Sequence, residues 1–264
     1  MRPLLFACLL AVLSVSWASV VPVVSNDGVF KAKALQKVLL STLKVEEGGT
    51  VCCPVVSILN LSGSSKSYDA INSIAGTSFK GKECEDAINL DIVSDKAFLC
   101  ASYSEMFSSK FCGAKAADFC GLVSDAVIVV LPDSELEDII VGHDQTIRRI
   151  VNKTKSRLQN SSQSVHSILF VVAKEAENTV DLSNVSEKFD EIWQDGASSS
   201  DSNTQISCNV IALDSADEAS LGAAKAAVEQ LSTSGGDAMG GNFADKLAAA
   251  WAESSATAAG TCLY

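Results

Sequence analysis

The stretch VVSILNLSGSSKSYDAINSIAGTSF, residues 55–79, contains the change from buried strand to helix that decides the fold. It continues a nearly unbroken apolar run over 51–59, and such runs are typical of strands buried on both faces of a parallel sheet. After a short polar segment, the pattern predicts a helix over 67–75 that ends at Gly76 as its C′ residue. A buried strand followed directly by a helix is the repeating unit of an α/β domain.

The rest of the chain continues this alternation of strands and helices. Apolar runs predict further strands at 97–101, 125–131, 165–173 and 208–213. Amphipathic or alanine-rich segments predict further helices at 114–122, 143–159, 183–193, 217–232 and 242–254. We therefore expect a three-layer α/β fold, in which helices cover both faces of a mostly parallel central sheet.

Composition narrows the class of protein. The chain has 264 residues, of which 47% are hydrophobic, and this content excludes a largely disordered protein. It carries 20 Lys and Arg against 32 Asp and Glu, a formal net charge of −12. Because phosphate neutralisation requires clustered Lys and Arg, we expect no nucleic-acid partner.

The first 18 residues have the pattern of a secretory signal peptide. Arg2 precedes an apolar run at 4–15, and Ser16 and Ala18 provide the small residues of a cleavage site. A membrane start-anchor is the alternative. Cleavage would leave 19–264 as a single α/β domain with an alanine-rich C-terminal helix and no transmembrane anchor. The expected location is extracellular or in the lumen of the endoplasmic reticulum.

Cysteines and glycosylation sequons agree with that compartment. Without Cys8, eight cysteines remain, an even number that indicates disulfides whose pairing stays open: Cys52, Cys53, Cys84, Cys100, Cys112, Cys120, Cys208 and Cys262. Four N-x-[ST] sequons predict glycosylation at Asn60, Asn152, Asn160 and Asn184.

Residues 55–79 resemble the first strand, P-loop and first helix of dynamin-superfamily GTPases. The likeness is to the atlastin-like, root-hair-defective-type fusion GTPases of the endoplasmic reticulum, and next to guanylate-binding proteins. It covers about residues 21–254, where further matching segments are SNDGVFKAKALQKVL (25–39), LVSDAVIVVLP (122–132), ILFVVAKEAENTVDLSNVSEKFDEIW (168–193), CNVIALDSADE (208–218) and NFADKLAAAW (242–251). The resemblance implies a G-domain fold.

The resemblance also assigns positions in the loop that would bind phosphate. Lys66 and Ser67 stand where the family has its phosphate-binding lysine and its magnesium-binding hydroxyl. Asn60 and Ser65 replace the two glycines that let the backbone turn closely around phosphates. Lys66 and Ser67 are therefore expected to be vestigial nucleotide-binding positions, and the alternative is an ordinary helix start.

Other motifs of the family are missing. The switch I stretch, 84–93, contains no threonine to complete a magnesium shell, and 97–106 contains neither residue of the Asp-x-x-Gly motif. Ala173 and Lys174 replace the Arg-Asp pair that selects guanine. Phosphoryl transfer depends on positioning and charge neutralisation, which these residues supply.

These observations predict a secretory-pathway pseudo-GTPase, a binding or structural module with no catalytic residue, metal site or cofactor. Its expected partner is an unidentified protein. One alternative is a divergent GTP-binding protein or GTPase that uses GTP and Mg²⁺ in the organisation of the endoplasmic reticulum. Another is a structural extracellular glycoprotein. A glycan on Asn60 would fill the space of the phosphates, so glycosylation there and nucleotide binding exclude each other.

Overall fold

The computed structural model describes residues 20–25, 28–42, 54–61, 65–80, 87–93, 96–102, 113–132, 165–173, 205–214, 216–231 and 243–258, and three single residues, Arg148, Asn152 and Glu187. The elements in chain order are β1 (Val21–Val24), α1 (Ala32–Thr42), β2 (Val55–Asn60), α2 (Ser65–Ala75), β3 (Ile88–Val93), β4 (Lys96–Ser102), α3 (Gly113–Val123), β5 (Ala126–Pro132), β6 (Val165–Ala173), β7 (Gln205–Leu213), α4 (Glu218–Gln230) and α5 (Phe243–Ala258).

The strands form one seven-stranded sheet in the order β1-β3-β4-β2-β5-β6-β7. β2 pairs in parallel with β4 and β5, and the parallel pairing continues through β6 to β7. β3 alone runs the other way, because it is antiparallel to both β1 and β4. The expected fold class, a three-layer α/β fold with helices on both faces of a mostly parallel central sheet, is confirmed.

Each face of the sheet has its own hydrophobic core. Val55 and Leu59 of β2 point into the core that α1, α3 and α5 cover. Val56 and Ile58 point into the core that α2 and α4 cover. Because neighbouring residues of a strand point to opposite faces, a continuous apolar run such as that of β2 requires helices on both sides.

The predicted strands and the predicted helices at 67–75, 114–122, 217–232 and 242–254 are found, with boundaries shifted by a few residues. Most of the predicted helices at 143–159 and 183–193 lies outside the described residues. Arg148 and Asn152 are helical within the predicted helix at 143–159, and Glu187 is helical within that at 183–193. Three elements were not predicted from periodicity: β1, α1 and β3. The predicted signal peptide at 1–18 lies outside the described residues. None of the helices described is both long enough and apolar enough to cross a membrane.

Trp251 fixes α5 against two other parts of the fold. Its indole Nε1 donates a hydrogen bond to the carbonyl of Gly28, at 3.1 Å. The ring of Phe119, on α3, meets it edge to face at a centroid distance of 5.6 Å, and Lys115 Nζ lies 3.7 Å from the centre of the Trp251 ring. One aromatic side chain thus joins α5, α3 and the segment after β1 through packing, a hydrogen bond and a cation–π contact.

A single asparagine organises the turn after α2. The side chain of Asn72 donates to the carbonyl of Phe79 at 2.7 Å, and its Oδ1 accepts from Thr77 Oγ1 and from the Phe79 backbone. Gly76 provides the left-handed C′ position with φ of 70°, and its N–H bonds back to the Asn72 carbonyl. The end of α2 is therefore held by side-chain and backbone bonds together.

Asp91 of β3 supports the same turn from the sheet. Its Oδ2 accepts a hydrogen bond from the backbone N–H of Ser78 at 2.8 Å, and the residue is 1% exposed. Burial raises the pKa of this carboxyl above its ordinary value, and the backbone bonds from Ser78 and Ile92 oppose the shift.

Two glycine substitutions should change stability in opposite directions. Gly76→Ala should lower the free energy of unfolding by about 1–2 kcal/mol, because alanine is strained in the left-handed region. The added Cβ would meet Val93 Cγ1 at 3.4 Å, an ordinary contact, so a clash contributes little. Gly222 lies in the middle of α4 on its exposed side, and a Cβ added there would have no atom within 4 Å. Gly222→Ala should therefore raise the free energy of unfolding by about 0.5–1 kcal/mol. Urea unfolding measures both, and equal signs would contradict this account of Gly76.

Candidate functional site at the carboxyl end of β2

The carboxyl end of β2 is the point of the sheet where a ligand is expected. The chain crosses from β4 to β5, which lie on either side of β2, so the connections diverge at this strand. In open α/β sheets ligands bind outside the carboxyl ends of the strands at such a switch point. β2 ends at Asn60, level with Ser102 of β4 and Val130 of β5, and α2 begins five residues later at Ser65.

Asn60 and Ser67 form a closed hydrogen-bonded pair at this point. Asn60 Nδ2 donates to Ser67 Oγ at 2.8 Å, and the Ser67 hydroxyl donates to Asn60 Oδ1 at 3.1 Å. Both residues are 0% exposed. The hydroxyl that the family resemblance assigns to magnesium is therefore bonded to the side chain that replaces the first glycine of the P-loop.

Lys66 directly precedes Ser67 in the backbone of α2. It stands in the first turn of the helix, where backbone N–H groups and the helix dipole favour an anion. Its side chain, that of Ser65 and the loop at 62–64 lie outside the described residues. The role of Lys66 in binding phosphate stays a prediction.

The last residues of β2, β4 and β6 carry no charged side chain. Ser102 is the last residue of β4 and pairs with Asn60 of β2. In the GTPases that the sequence resembles, the Asp-x-x-Gly motif follows this strand. Ala173, at the end of β6, is apolar and 5% exposed. In the part of the chain described here, no three His, Cys, Asp or Glu side chains come together as a metal site. These three positions therefore supply no carboxylate, and the segments that follow β4 and β6 lie outside the part of the chain that the structure describes.

Ser124 and Asp125, from the matching segment at 122–132, have structural roles. Asp125 Oδ2 accepts from the N–H of Val55 at 2.7 Å, and the Asp125 N–H donates to the Val55 carbonyl at 2.7 Å. The Ser124 hydroxyl donates to Ser57 Oγ. Both residues tie the start of β5 to β2, so they set the register of the central strands without touching the candidate site.

Two of the eight cysteines expected in the mature chain are buried thiols. Cys120 of α3 lies in one core and Cys100 of β4 in the other, so the sheet separates them. Neither belongs to a disulfide, which leaves six cysteines for the expected disulfides. Burial raises the pKa of the Cys120 thiol to about 12, against the opposing effect of its hydrogen bond with Ser57.

The predicted glycosylation sites differ in their surroundings. Asn152 is helical and exposed, whereas Asn160 and Asn184 lie outside the described residues. Asn60 is fully buried, and both polar atoms of its amide bond to Ser67. Glycosylation of Asn60 stays a prediction, and it requires the pair to open and Asn60 to leave the interior.

No protein-family model and no curated protein matches the sequence. Among solved structures, the chain is similar to a mutation variant of SsGBP, with 15% identity, 79% of this chain and 66% of that one covered, and a TM-score of 0.41. It is also similar to a GTP-binding protein from the hyperthermophilic archaeon Sulfolobus solfataricus in complex with GDP, with 12% identity, 76% and 53% covered, and a TM-score of 0.35.

A further similar structure is the ADP-ribosylation-factor-like GTP-binding protein, or small COPII coat GTPase SAR1, from Encephalitozoon cuniculi in complex with GDP. It shares 8% identity, with 86% of this chain and 90% of that one covered, and a TM-score of 0.34. The chain spans 66% and 53% of the two structures named before it. The fold assignment rests on the strand order and strand directions of the chain itself.

A double-mutant cycle should detect the Asn60–Ser67 pair. Asn60→Ala and Ser67→Ala each leave a buried partner without its bond, so each should lower the free energy of unfolding by about 1–3 kcal/mol. The double variant should lose less than the sum, with a coupling of about 0.5–3 kcal/mol in urea unfolding. The control cycle combines Asn60→Ala with Ser254→Ala, and Ser254 lies in α5 on the other side of the sheet. In this control the two losses of stability should simply add. Additivity in the Asn60–Ser67 cycle would contradict the pair.

Cys120 should resist alkylation in the folded protein. Since only the thiolate reacts and the pKa is raised to about 12, iodoacetamide at about pH 8 should label Cys120 only as fast as the protein opens. Peptide mass spectrometry measures this, and unfolding in guanidinium chloride should restore ordinary labelling. The raised folded-state pKa also means that its contribution to stability is lost as pH rises from about 9 to about 12. Rapid labelling of folded protein would refute the burial of this thiol.

Proposed function

We propose that this protein is a secretory-pathway pseudo-GTPase, a dynamin-like G-domain fold without competent nucleotide hydrolysis that acts as a binding or structural module. The observation that carries the proposal is the buried Asn60–Ser67 pair at the switch point of the sheet. Its physical basis is that the Ser67 hydroxyl uses its proton and one of its two lone pairs in bonds with the Asn60 amide, so the buried amide competes with a magnesium ion for this hydroxyl.

The pair opposes nucleotide binding energetically. For Ser67 to reach a metal ion, Asn60 must lose a buried hydrogen bond, at a cost of about 1–3 kcal/mol. Such a cost weakens affinity by about 5- to 150-fold. The Asn60 side chain also occupies volume where a P-loop glycine has none, so the backbone cannot approach phosphates as closely. The last residues of β2, β4 and β6 are not acidic, so none of these three positions would contribute a carboxylate to a metal ion.

The cellular context of the proposal comes from the sequence. A signal peptide at 1–18 and four sequons support secretion or residence in the endoplasmic-reticulum lumen. In that setting the protein would act by binding another protein, and no cofactor is required. The dynamin-like character rests on the ordered matching segments between residues 21 and 254.

Calorimetric titration of GTP and GDP with Mg²⁺ tests this function. We expect no saturable binding in the micromolar range, because the pair occupies the site. The double variant Asn60→Gly/Ser65→Gly restores the two glycines of the P-loop pattern and should bind more tightly than the natural chain. Gly222→Ala, on α4, serves as the matched control and should leave binding unchanged. Micromolar affinity of the natural chain for GTP and Mg²⁺ would overturn the proposal.

A second candidate is a divergent GTP-binding protein or GTPase that takes part in the organisation of the endoplasmic reticulum from the cytosolic side. The observation in its favour is that Cys100 and Cys120 are thiols on opposite faces of the sheet. Cysteines in the reducing cytosol remain thiols. Protease protection of the protein in microsomes distinguishes the two candidates, since a luminal chain is protected and a cytosolic chain is cleaved.

A further inference from the structure

The two edges of the sheet differ in their protection against further pairing. β1 forms one edge with four residues, contains Pro22, and has a register shift between Pro22 and Val24. β7 forms the other edge with nine residues, and its pairing with β6 runs through all nine without a shift. A short strand, a proline and a bulge are devices that prevent an edge from pairing with another chain. β1 has all three devices, and β7 has none of them.

β7 also lacks the charged side chains that commonly protect an edge strand. Its sequence, QISCNVIAL, contains no Asp, Glu, Lys or Arg, although the chain has a net charge of −12. Within the part of the chain that the structure describes, β6 is the only strand that pairs with β7. Every second residue of β7 therefore directs its N–H and C=O groups away from β6, toward the outside of the sheet.

Side chains in the second half of β7 are accessible at this edge. Asn209, the middle residue of the strand, and Ala212 are exposed. Val210 and Ile211 are only partly buried, although each packs against one of the two cores. A further strand beside β7 would cover the remaining apolar surface of these two side chains.

Helix α4 does not run along this edge. It begins at Glu218, shortly after β7, but the carbonyls of Val228 and Glu229 near its end accept hydrogen bonds from Lys96 Nζ at 3.5 and 3.4 Å. Lys96 is the first residue of β4, and β2, β5 and β6 lie between β4 and β7. α4 therefore crosses the sheet diagonally, from the end of β7 toward β4, which agrees with the exposure of Asn209 on the same face of the sheet.

We propose that β7 pairs with β7 of a second copy of this chain, antiparallel about a two-fold axis, so that the two sheets become one. In such a pair outward-bonding residues face each other, so one residue lies on the axis opposite its own copy. With Asn209 on the axis, all nine residues are paired. An amide both donates and accepts, so Asn209 can bond to its copy. Because β1 is protected, association ends at two copies.

Charge favours the antiparallel arrangement. Three acidic residues follow β7 closely, Asp214, Asp217 and Glu218, whereas residues 196–204 before it contain one, Asp201. A parallel pair would place the two more acidic ends side by side. The antiparallel pair separates these ends by the length of the strand, about 30 Å, which is several times the Debye length of about 8 Å at physiological salt.

The size of the contact predicts a reversible dimer. Four or five outward-facing residues on each copy would exchange about 8–10 main-chain hydrogen bonds, close to the number in an average specific interface. The contact strip is about 30 Å long and 10 Å deep, roughly 600 Å² over both copies, which is below the size of stable complexes. We therefore expect a dissociation constant of about 10–500 μM. This inference goes beyond the proposed function and requires no nucleotide.

Sedimentation equilibrium of the full chain without nucleotide, from about 10 μM to 1 mM, tests the proposal. We expect a monomer–dimer equilibrium that tightens as salt rises, because the acidic chains repel each other and no ion pair joins the strands. Asn209→Lys places two positive charges opposite each other and should weaken the dimer by about fivefold or more. The matched control Gln36→Lys, exposed on α1, should not weaken it.

A mixture of variants tests whether Asn209 meets its own copy. Asn209→Glu should also weaken self-association, whereas an equimolar mixture of Asn209→Lys and Asn209→Glu should form a dimer at least as tight as that of the natural chain. Thermal unfolding shows that each variant is folded. A natural chain that stays monomeric up to about 1 mM overturns the proposal, as it would if another segment or another protein occupied this edge. The proposal is equally overturned if Gln36→Lys weakens the dimer as much as Asn209→Lys, or if the mixture does not associate.

Discussion

Complete burial of the central strand constrains the rest of this molecule. Every residue of β2 is buried, because β4 and β5 occupy both of its edges and helices cover both of its faces. A polar side chain at any position of such a strand must find its hydrogen bonds inside the protein. Ser57 does so with Ser124 and Cys120 on one face. Asn60 does so with Ser67 on the other.

Ser57 and Asn60 have different roles because they lie at different positions along β2. Ser57 lies within the sheet, where its bonds only fix α3 and β5 to β2. Asn60 lies at the last position of β2, where its bonds reach Ser67 in the first turn of α2. The position of a polar residue along the strand therefore decides whether it fixes strands to each other or fixes the strand to the helix that follows it.

Helix α2 is held at both of its ends by asparagine side chains. Asn60 bonds to its first turn through Ser67, and Asn72 connects its last turn to Phe79. A domain that changes shape with its ligand needs an element with two arrangements of similar free energy. The bonds at both ends of α2 favour one arrangement of this helix.

Periodicity predicted most of the sheet because β2, β5 and β6 are long apolar runs that only a doubly covered sheet can bury. It failed for β3, where Asn89 and Asp91 interrupt the run although both are buried. Those two side chains are accommodated by tertiary partners such as the Ser78 N–H, and no local pattern reveals such a partner. The Asn60–Ser67 pair was missed for the same reason. The sequence predicted both residues as site positions, but not that they satisfy each other.

The reversed direction of β3 bears on the order of folding. β3 and β4 are separated by only two residues and pair as a hairpin, whereas β2 must meet β4 and β5 across long connections. Hairpins form in about 1–10 μs, and pairings between distant segments require costly loop closure first. The β3–β4 hairpin is thus suited to nucleate the sheet, and insertion of β2 between its neighbours would complete it.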